Sequence, residues 1–188
     1  VGSVATFTLF FALLALAAQL FAATTAVLVV GAGARVGAAQ RALIALREEV
    51  GGSAAWLATG VAATATAGSL YLSEIAGFPP CLLCWYQRFA MYPLVGILAV
   101  AAIGRGTRLG RGATILAAAT AIIGGGISIW HMLIERFPSL EAATACDPAN
   151  PCSIIWVERF GYLTIPTMAL SGFVVILSLL YLSRLPRS

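Results

Sequence analysis

Five apolar runs, separated by short segments that carry most of the charge, set the pattern of this chain. They cover residues 3–30, 53–75, 83–104, 112–134 and 160–183, and each is rich in Ala, Leu, Ile and Val. A helix needs about 20 residues to cross a bilayer, so each run predicts a transmembrane helix. Residues 35–50 follow a different rhythm. Val36, Ala39, Leu43, Leu46 and Val50 recur at three- and four-residue steps, with Arg41, Arg47 and Glu48 elsewhere. That spacing predicts an amphipathic helix lying on the membrane surface. Gly124, Gly125 and Gly126 interrupt the fourth run, where small residues mark close helix contact. Pro166, near the start of the last run, predicts a kink.

Composition agrees with a lipid-facing protein. The 188 residues are 61% hydrophobic and 10% charged, where a soluble domain carries roughly 25% charged residues. The net charge of +4 does not indicate nucleic-acid binding. The chain has no lysine, and most of its eleven arginines lie in the short connections. That is a topology signal rather than a phosphate-binding surface.

Arg35, Arg41 and Arg47 fall between the first two runs. Arg105, Arg108 and Arg111 fall between the third and fourth, and Arg184 and Arg187 follow the fifth. Placing these eight inside leaves Arg136 and Arg159 outside, with Arg88 just within the membrane. The positive-inside rule then predicts an outer N-terminus and an inner C-terminus. The first run has no basic segment ahead of it and reads as an uncleaved anchor.

All four cysteines fall on the predicted outer side. Cys81 and Cys84 open the third run, and Cys146 and Cys152 lie in the long polar loop 135–159. An even count on an oxidising face favours disulfides. Two static staples, a four-cysteine zinc site and a redox pair all remain open from the count alone. The local sequence favours redox chemistry for the first pair. Pro79-Pro80 precedes Cys81-Leu82-Leu83-Cys84, so the cysteines sit at a helix N-terminus, whose dipole favours a thiolate at Cys84. Arg88 follows at i+4 and adds positive charge. Both features activate a thiol for exchange, whereas a staple or a closed zinc knot has no use for them.

Arg88 and His131 are predicted about one turn below the outer surface, on the third and fourth spans. Polar groups at that depth need partners: Arg88 can be a snorkelling anchor and His131 a satisfied interfacial histidine, or the two can hold between them a ring that offers carbonyl acceptors. Trp85, Tyr86, Tyr92 and Trp130 read as interfacial aromatics. Gln19 is a lone polar residue with no assigned role.

The run Pro80-Cys81-Leu82-Leu83-Cys84-Trp85-Tyr86-Gln87-Arg88, continuing to Met91-Tyr92-Pro93, resembles the signature of the DsbB/BdbC disulfide bond formation proteins. Trp130-His131, the pair Cys146 and Cys152, and the run from Phe160 through Gly161, Tyr162, Leu163, Thr164 and Ile165 to Pro166 follow in that family's order. The resemblance covers residues 53–183. The short spacing of Cys146 and Cys152 is closer to the BdbC-like branch.

The resemblance implies an all-α, polytopic membrane protein: a four-helix transmembrane bundle with its redox loop at 135–159 and a short cytoplasmic tail at 184–188. It implies an enzyme of the bacterial inner membrane that reoxidises a DsbA-like thioredoxin-fold partner outside the cytoplasm and reduces ubiquinone or menaquinone. On that reading the protein acts as a monomer. Cys146–Cys152 is the loop disulfide, with Cys146 attacked by the partner. Cys81 exchanges with the loop pair, Cys84 meets the quinone, and Arg88 and His131 help bind it. Each pair is close in sequence, so both are expected to be bridged in the resting state. Residues 1–52, the extra N-terminal helix and its amphipathic segment, depart from the family pattern. Two other readings remain. A vitamin K epoxide reductase-like enzyme would place its membrane dithiol after the loop cysteines, the reverse of the order here. A non-catalytic membrane subunit would use both pairs as static disulfides.

Overall fold

A computed structural model describes residues 2–185; Arg187 and the end of the predicted tail lie outside the described residues. The helices are α1 (Gly2–Gly33), α2 (Gly37–Val50), α3 (Ala54–Leu70), α4 (Leu82–Ile103), α5 (Arg108–Arg136) and α6 (Ile165–Arg184). Among the described residues the strand content is one antiparallel pair of two-residue strands, β1 (Glu158–Arg159) and β2 (Leu163–Thr164). The protein is thus an all-α, multi-pass membrane protein.

Among the described residues, four helices are long and apolar enough to cross a membrane: Val4–Gly33, Leu82–Ile103, Arg108–Arg136 and Ile165–Arg184. The expected crossing at 53–75 is divided. α3 has 17 residues and runs on into a five-residue π-helical turn, Tyr71–Ile75.

Local chemistry sets the helix ends. Arg35 takes a left-handed φ of 59°. Val36 N then bonds Gly31 O at 3.0 Å, and Arg35 N bonds Ala32 O at 3.1 Å. This pairing satisfies the last carbonyls of α1 and turns the chain into α2. α2 is the predicted amphipathic helix, with Leu43 buried. Thr107 caps α5 by accepting from Gly110 N at 3.1 Å. The three glycines leave α5 unbroken. A Cβ on Gly124 would collide with the Phe173 ring, so this glycine admits the close contact of α5 with α6. The predicted kink at Pro166 is corrected. The helix begins at Ile165, so Pro166 sits in its first turn, where the missing N–H breaks no bond.

The core lies between α3, α4, α5 and α6. Ala54, Ala58 and Ala62 meet Leu94, Leu98, Ala117, Ala121, Phe173 and Ile176. At one end, Arg105 Nη2 donates to Gly51 O at 2.9 Å, Arg105 also bonds Gly52 O, and Arg47 Nε reaches Leu185 O at 3.2 Å. These contacts gather the arginine-rich connections and the end of α6. The cysteines gather at the other end of the bundle.

Candidate active site

The extended chain through Pro79 and Pro80 delivers Cys81 as the N-cap of α4. Its Sγ accepts from Cys84 N at 3.3 Å, the position normally filled by a Ser or Asp oxygen. The helix end therefore serves Cys81 directly, whereas the sequence reading gave that benefit to Cys84. The Sγ atoms of Cys81 and Cys84 lie 2.8 Å apart as free thiols. The inner pair is thus an unbridged dithiol, unlike the bridge expected from its spacing. Cys146 and Cys152 form a disulfide, as expected. Being bonded to each other, they do not join the inner pair in a four-cysteine metal set.

His131 links the two pairs. Its Nε2 lies 3.7 Å from Cys81 Sγ and 3.0 Å from Cys152 O. Gln87 Nε2 lies 3.0 Å from Nδ1. With the Gln87 amide donating to Nδ1, the neutral ring carries its proton on Nε2 and presents it to the carbonyl and the sulfur. The Cys81 thiol is held below the ordinary thiol range. The hydrogen bond with Cys84 is the main cause; His131 and the Cys84 amide add to it, and burial opposes it. The sulfurs of Cys81 and Cys84 and a ring nitrogen of His131 lie within 4.8 Å, a spacing that could hold a metal ion. Both ring nitrogens of His131 already have partners, which favours a hydrogen-bonded dithiol.

The loop is fastened over this centre. Glu141 accepts from Cys152 N and from Ser153 Oγ, the latter at 2.6 Å. Asn150 Nδ2 donates to Pro80 O at 3.1 Å, and Trp156 stacks on Phe78 at 5.6 Å. Cys152 is buried, while Cys146 is half-buried. Glu135 shares a small cleft with Cys81, Cys84 and His131 and accepts from Thr164 Oγ1 at 2.6 Å.

Arg88 faces elsewhere. Its Nε donates to Ser69 Oγ and its Nη2 to Ser69 O, both at 3.0 Å, and its guanidinium lies 5.1 Å from the Trp85 ring centre. Tyr92 donates to Ser69 Oγ at 3.2 Å, so its hydroxyl turns into the bundle. Cys84, Gln87, Arg88 and Tyr92 line one end of a cavity of about 620 Å³. Cys81 and His131 do not line it. The structure therefore brings His131 to the inner dithiol and the loop, and brings Arg88 to the large cavity beside Cys84.

Sequence reasoning missed Gln87, Ser69, Glu135, Glu141 and Asn150. Gln87 adjoins Arg88 in the cysteine motif and could have been found. Ser69 lies in a run of small residues and gave no signal.

Two cysteine pairs packed at one end of an apolar helix bundle, one bridged and one a dithiol, define a membrane protein that handles disulfides by thiol exchange. The chain belongs to the family described as disulfide bond formation protein DsbB, whose model matches residues 52–182. It is 44% identical over 124 residues to the disulfide bond formation protein C of Bacillus subtilis (strain 168), covering 66% of this chain and 85% of that protein. It is 40% identical over 130 residues to a probable disulfide formation protein C 1 of Bacillus cereus (strain ATCC 10987), covering 69% and 91%. A probable disulfide formation protein C of Halalkalibacterium halodurans is 41% identical over 122 residues, covering 64% and 83%. No solved structure gives a significant match.

Proposed function

We propose that the protein is a thiol:quinone oxidoreductase that reoxidises a thioredoxin-fold dithiol partner outside the cytoplasm. The observation that carries this reading is the division of the inner dithiol. Cys84 lines the large cavity and Cys81 does not, while Cys81 meets His131, which also holds Cys152.

The relay starts at the loop. A partner thiolate attacks Cys146, the more exposed cysteine of the pair, and the Cys146–Cys152 bond breaks to release the Cys152 thiolate. Cys152 attacks Cys81 of an oxidised inner pair, and Cys84 leaves as a thiolate. The partner's second thiol displaces Cys146 and completes the partner's disulfide. Cys146 then reforms the loop bond with Cys152 and frees Cys81. The inner pair now holds two electrons as an unbridged dithiol. His131, with its proton on Nε2, stabilises the Cys81 thiolate through each exchange.

The cavity residues suit a quinone. Cys84 stands beside Arg88, Gln87 and Tyr92 at the polar end, and the remaining walls are largely apolar. The Arg88 bonds to Ser69 use Nε and Nη2, leaving Nη1 without a hydrogen-bond partner among the described residues. When bound, a quinone supplies a sink for two electrons and two protons. Ubiquinone and menaquinone both present ring carbonyls to such a donor. Arg88 would hold a carbonyl, favour negative charge near it and favour the Cys84 thiolate.

We also propose five crossings, with α3 and its π-helical turn as the second. Residues 53–183 form the family bundle and 1–52 precede it. The N-terminus and cysteines lie outside and the arginine-rich end inside, on the strength of the arginine asymmetry. The test is quinone absorbance in purified protein given a reduced thioredoxin-fold dithiol. One quinol should form for each partner disulfide. Partner oxidation without quinone consumption would reject the reading.

A further inference from the structure

α1 stands outside the family match, which begins at residue 52, yet it walls the large cavity. Phe7, Phe11, Leu14, Ala17, Ala18 and Phe21 line it from α1. From α3 the lining runs from Trp56 through Gly60 and Thr64 to Gly68 and Ser69. Trp56 and Ser69 are separated by about 20 Å of helix, at 1.5 Å per residue. The cavity therefore extends from the dithiol toward the arginine-rich end, most of the way across a hydrocarbon core of about 30 Å.

The docking of α1 is specific. Arg159 Nη2 donates to Thr8 Oγ1 at 2.7 Å and to Ala5 O at 2.9 Å. Gln19 Nε2 donates to Ser171 Oγ at 2.9 Å, and Tyr162 Oη donates to Gln19 Oε1 at 2.8 Å. Gln19, which had no role in the sequence, thus ties α1 to α6 and to the β1–β2 turn. At the redox end Phe7 stacks on Tyr71 at 3.6 Å. Phe11 sits over Gly68, where a Cβ would collide with its ring. α1 packs along α6, and the cavity opens in the space between α1 and α3. On the α3 side Gly60 adds no side chain to that space.

We infer that α1 forms the wall of a channel for the prenyl tail of the quinone, so that this helix sets tail-dependent affinity. The inference rests on the thiol:quinone reading above. The cavity at about 620 Å³ falls among sites that hold a drug-sized molecule, about 300–1,000 Å³. Most of its polar groups stand at the dithiol end, and its length is largely apolar, with Thr64 the exception along α3. A molecule with a ring at Cys84 and a long hydrocarbon tail matches that layout.

The test compares two quinones with the same ring, one carrying a long prenyl tail and one carrying a methyl group in its place. In the full-length protein, Ala18→Phe fills the channel from α1 and Gly60→Phe fills it from α3. Each should raise the ratio of long-tailed to tailless KM about tenfold, since apolar burial of the tail is lost. Leu20→Phe, on the lipid-exposed side of α1, should keep the wild-type ratio. A photoreactive group on the prenyl tail should label peptides spanning residues 7–21, a readout that does not depend on the variants. An unchanged ratio in both channel variants, or labelling confined to α4 and α5, would overturn the inference. So would a wild type that reduces both quinones with equal KM, as expected if a phospholipid chain filled the channel. A wild type that reduces neither quinone would instead reject the thiol:quinone reading itself.

Discussion

Cys81 and Cys84 stand one helical turn apart, yet their surroundings differ in kind. Cys81 is buried as an N-cap, beside a helix amide and His131, whose ring also reaches the Cys152 carbonyl. Cys84 is half-buried and lines an apolar cavity whose polar end is Arg88, Gln87 and Tyr92. The first setting suits exchange between sulfurs, where a stabilised thiolate leaves easily. The second suits electron transfer to an apolar acceptor, where water is kept away and one cation faces developing charge. A two-residue spacer at a helix start produces this division, because it places one cysteine before the first turn and the other inside it.

The comparison can be broken most completely at Cys84. Cys84→Ser should reduce quinone turnover to background, while the mixed disulfide between the partner and Cys146 still forms and can be trapped on a gel. If Cys84→Ser still turned over quinone, the cavity-facing sulfur would not be the donor. Arg88→Ala comes next. Losing a preorganised cation at a developing charge costs on the order of a hundredfold in rate, so quinone kcat/KM should fall about that much. Exchange at Cys146 should persist, which separates this loss from misfolding. Wild-type quinone kinetics would reduce Arg88 to a membrane anchor.

His131 sharpens the other side. His131→Ala removes a hydrogen bond to a thiolate, worth about tenfold in an equilibrium, so exchange between the loop and the inner pair should slow about tenfold. The same change should raise the pH at which reduced Cys81 becomes alkylated. In the wild type the folded thiol lies below its unfolded value. Alkylation should therefore persist as pH falls below about 8.5, the free-thiol value. The stabilisation of the reduced fold by this thiolate is fully present above the unfolded value and is lost as pH falls through the folded one. An unchanged alkylation profile in His131→Ala would remove the histidine from the relay. The smallest effect is expected at Asn150→Ala, which breaks the bond to Pro80 and loosens the loop. A net hydrogen bond is worth about 1 kcal/mol, so loop-to-dithiol exchange should slow a few-fold without changing quinone KM.

Much of this comparison was legible in the sequence, for reasons that are physical. The apolar runs required helices because lipid leaves no other partner for backbone groups, and the cysteine–arginine spacing fixed which residues share the start of α4. The division between the two sulfurs was not legible. It depends on Ser69 turning Arg88 toward the cavity and on Gln87 turning His131 toward Cys81, contacts between residues far apart in sequence. Depth in the membrane alone put Arg88 and His131 at one level and suggested a shared ligand. The channel wall was equally hidden, since the apolar lining of α1 looks like any lipid-facing helix. Gln19, the lone polar residue noted there, carried no role until its bonds to Ser171 and Tyr162 were seen.

The most direct test of the divided dithiol is mass-spectrometric mapping of thiol alkylation. The protein is reduced, then alkylated with and without a redox-inert quinone analogue. The account predicts that the analogue protects Cys84 and leaves Cys81 labelled at its rate without analogue. Equal protection of both thiols, or protection of Cys81 alone, would contradict it.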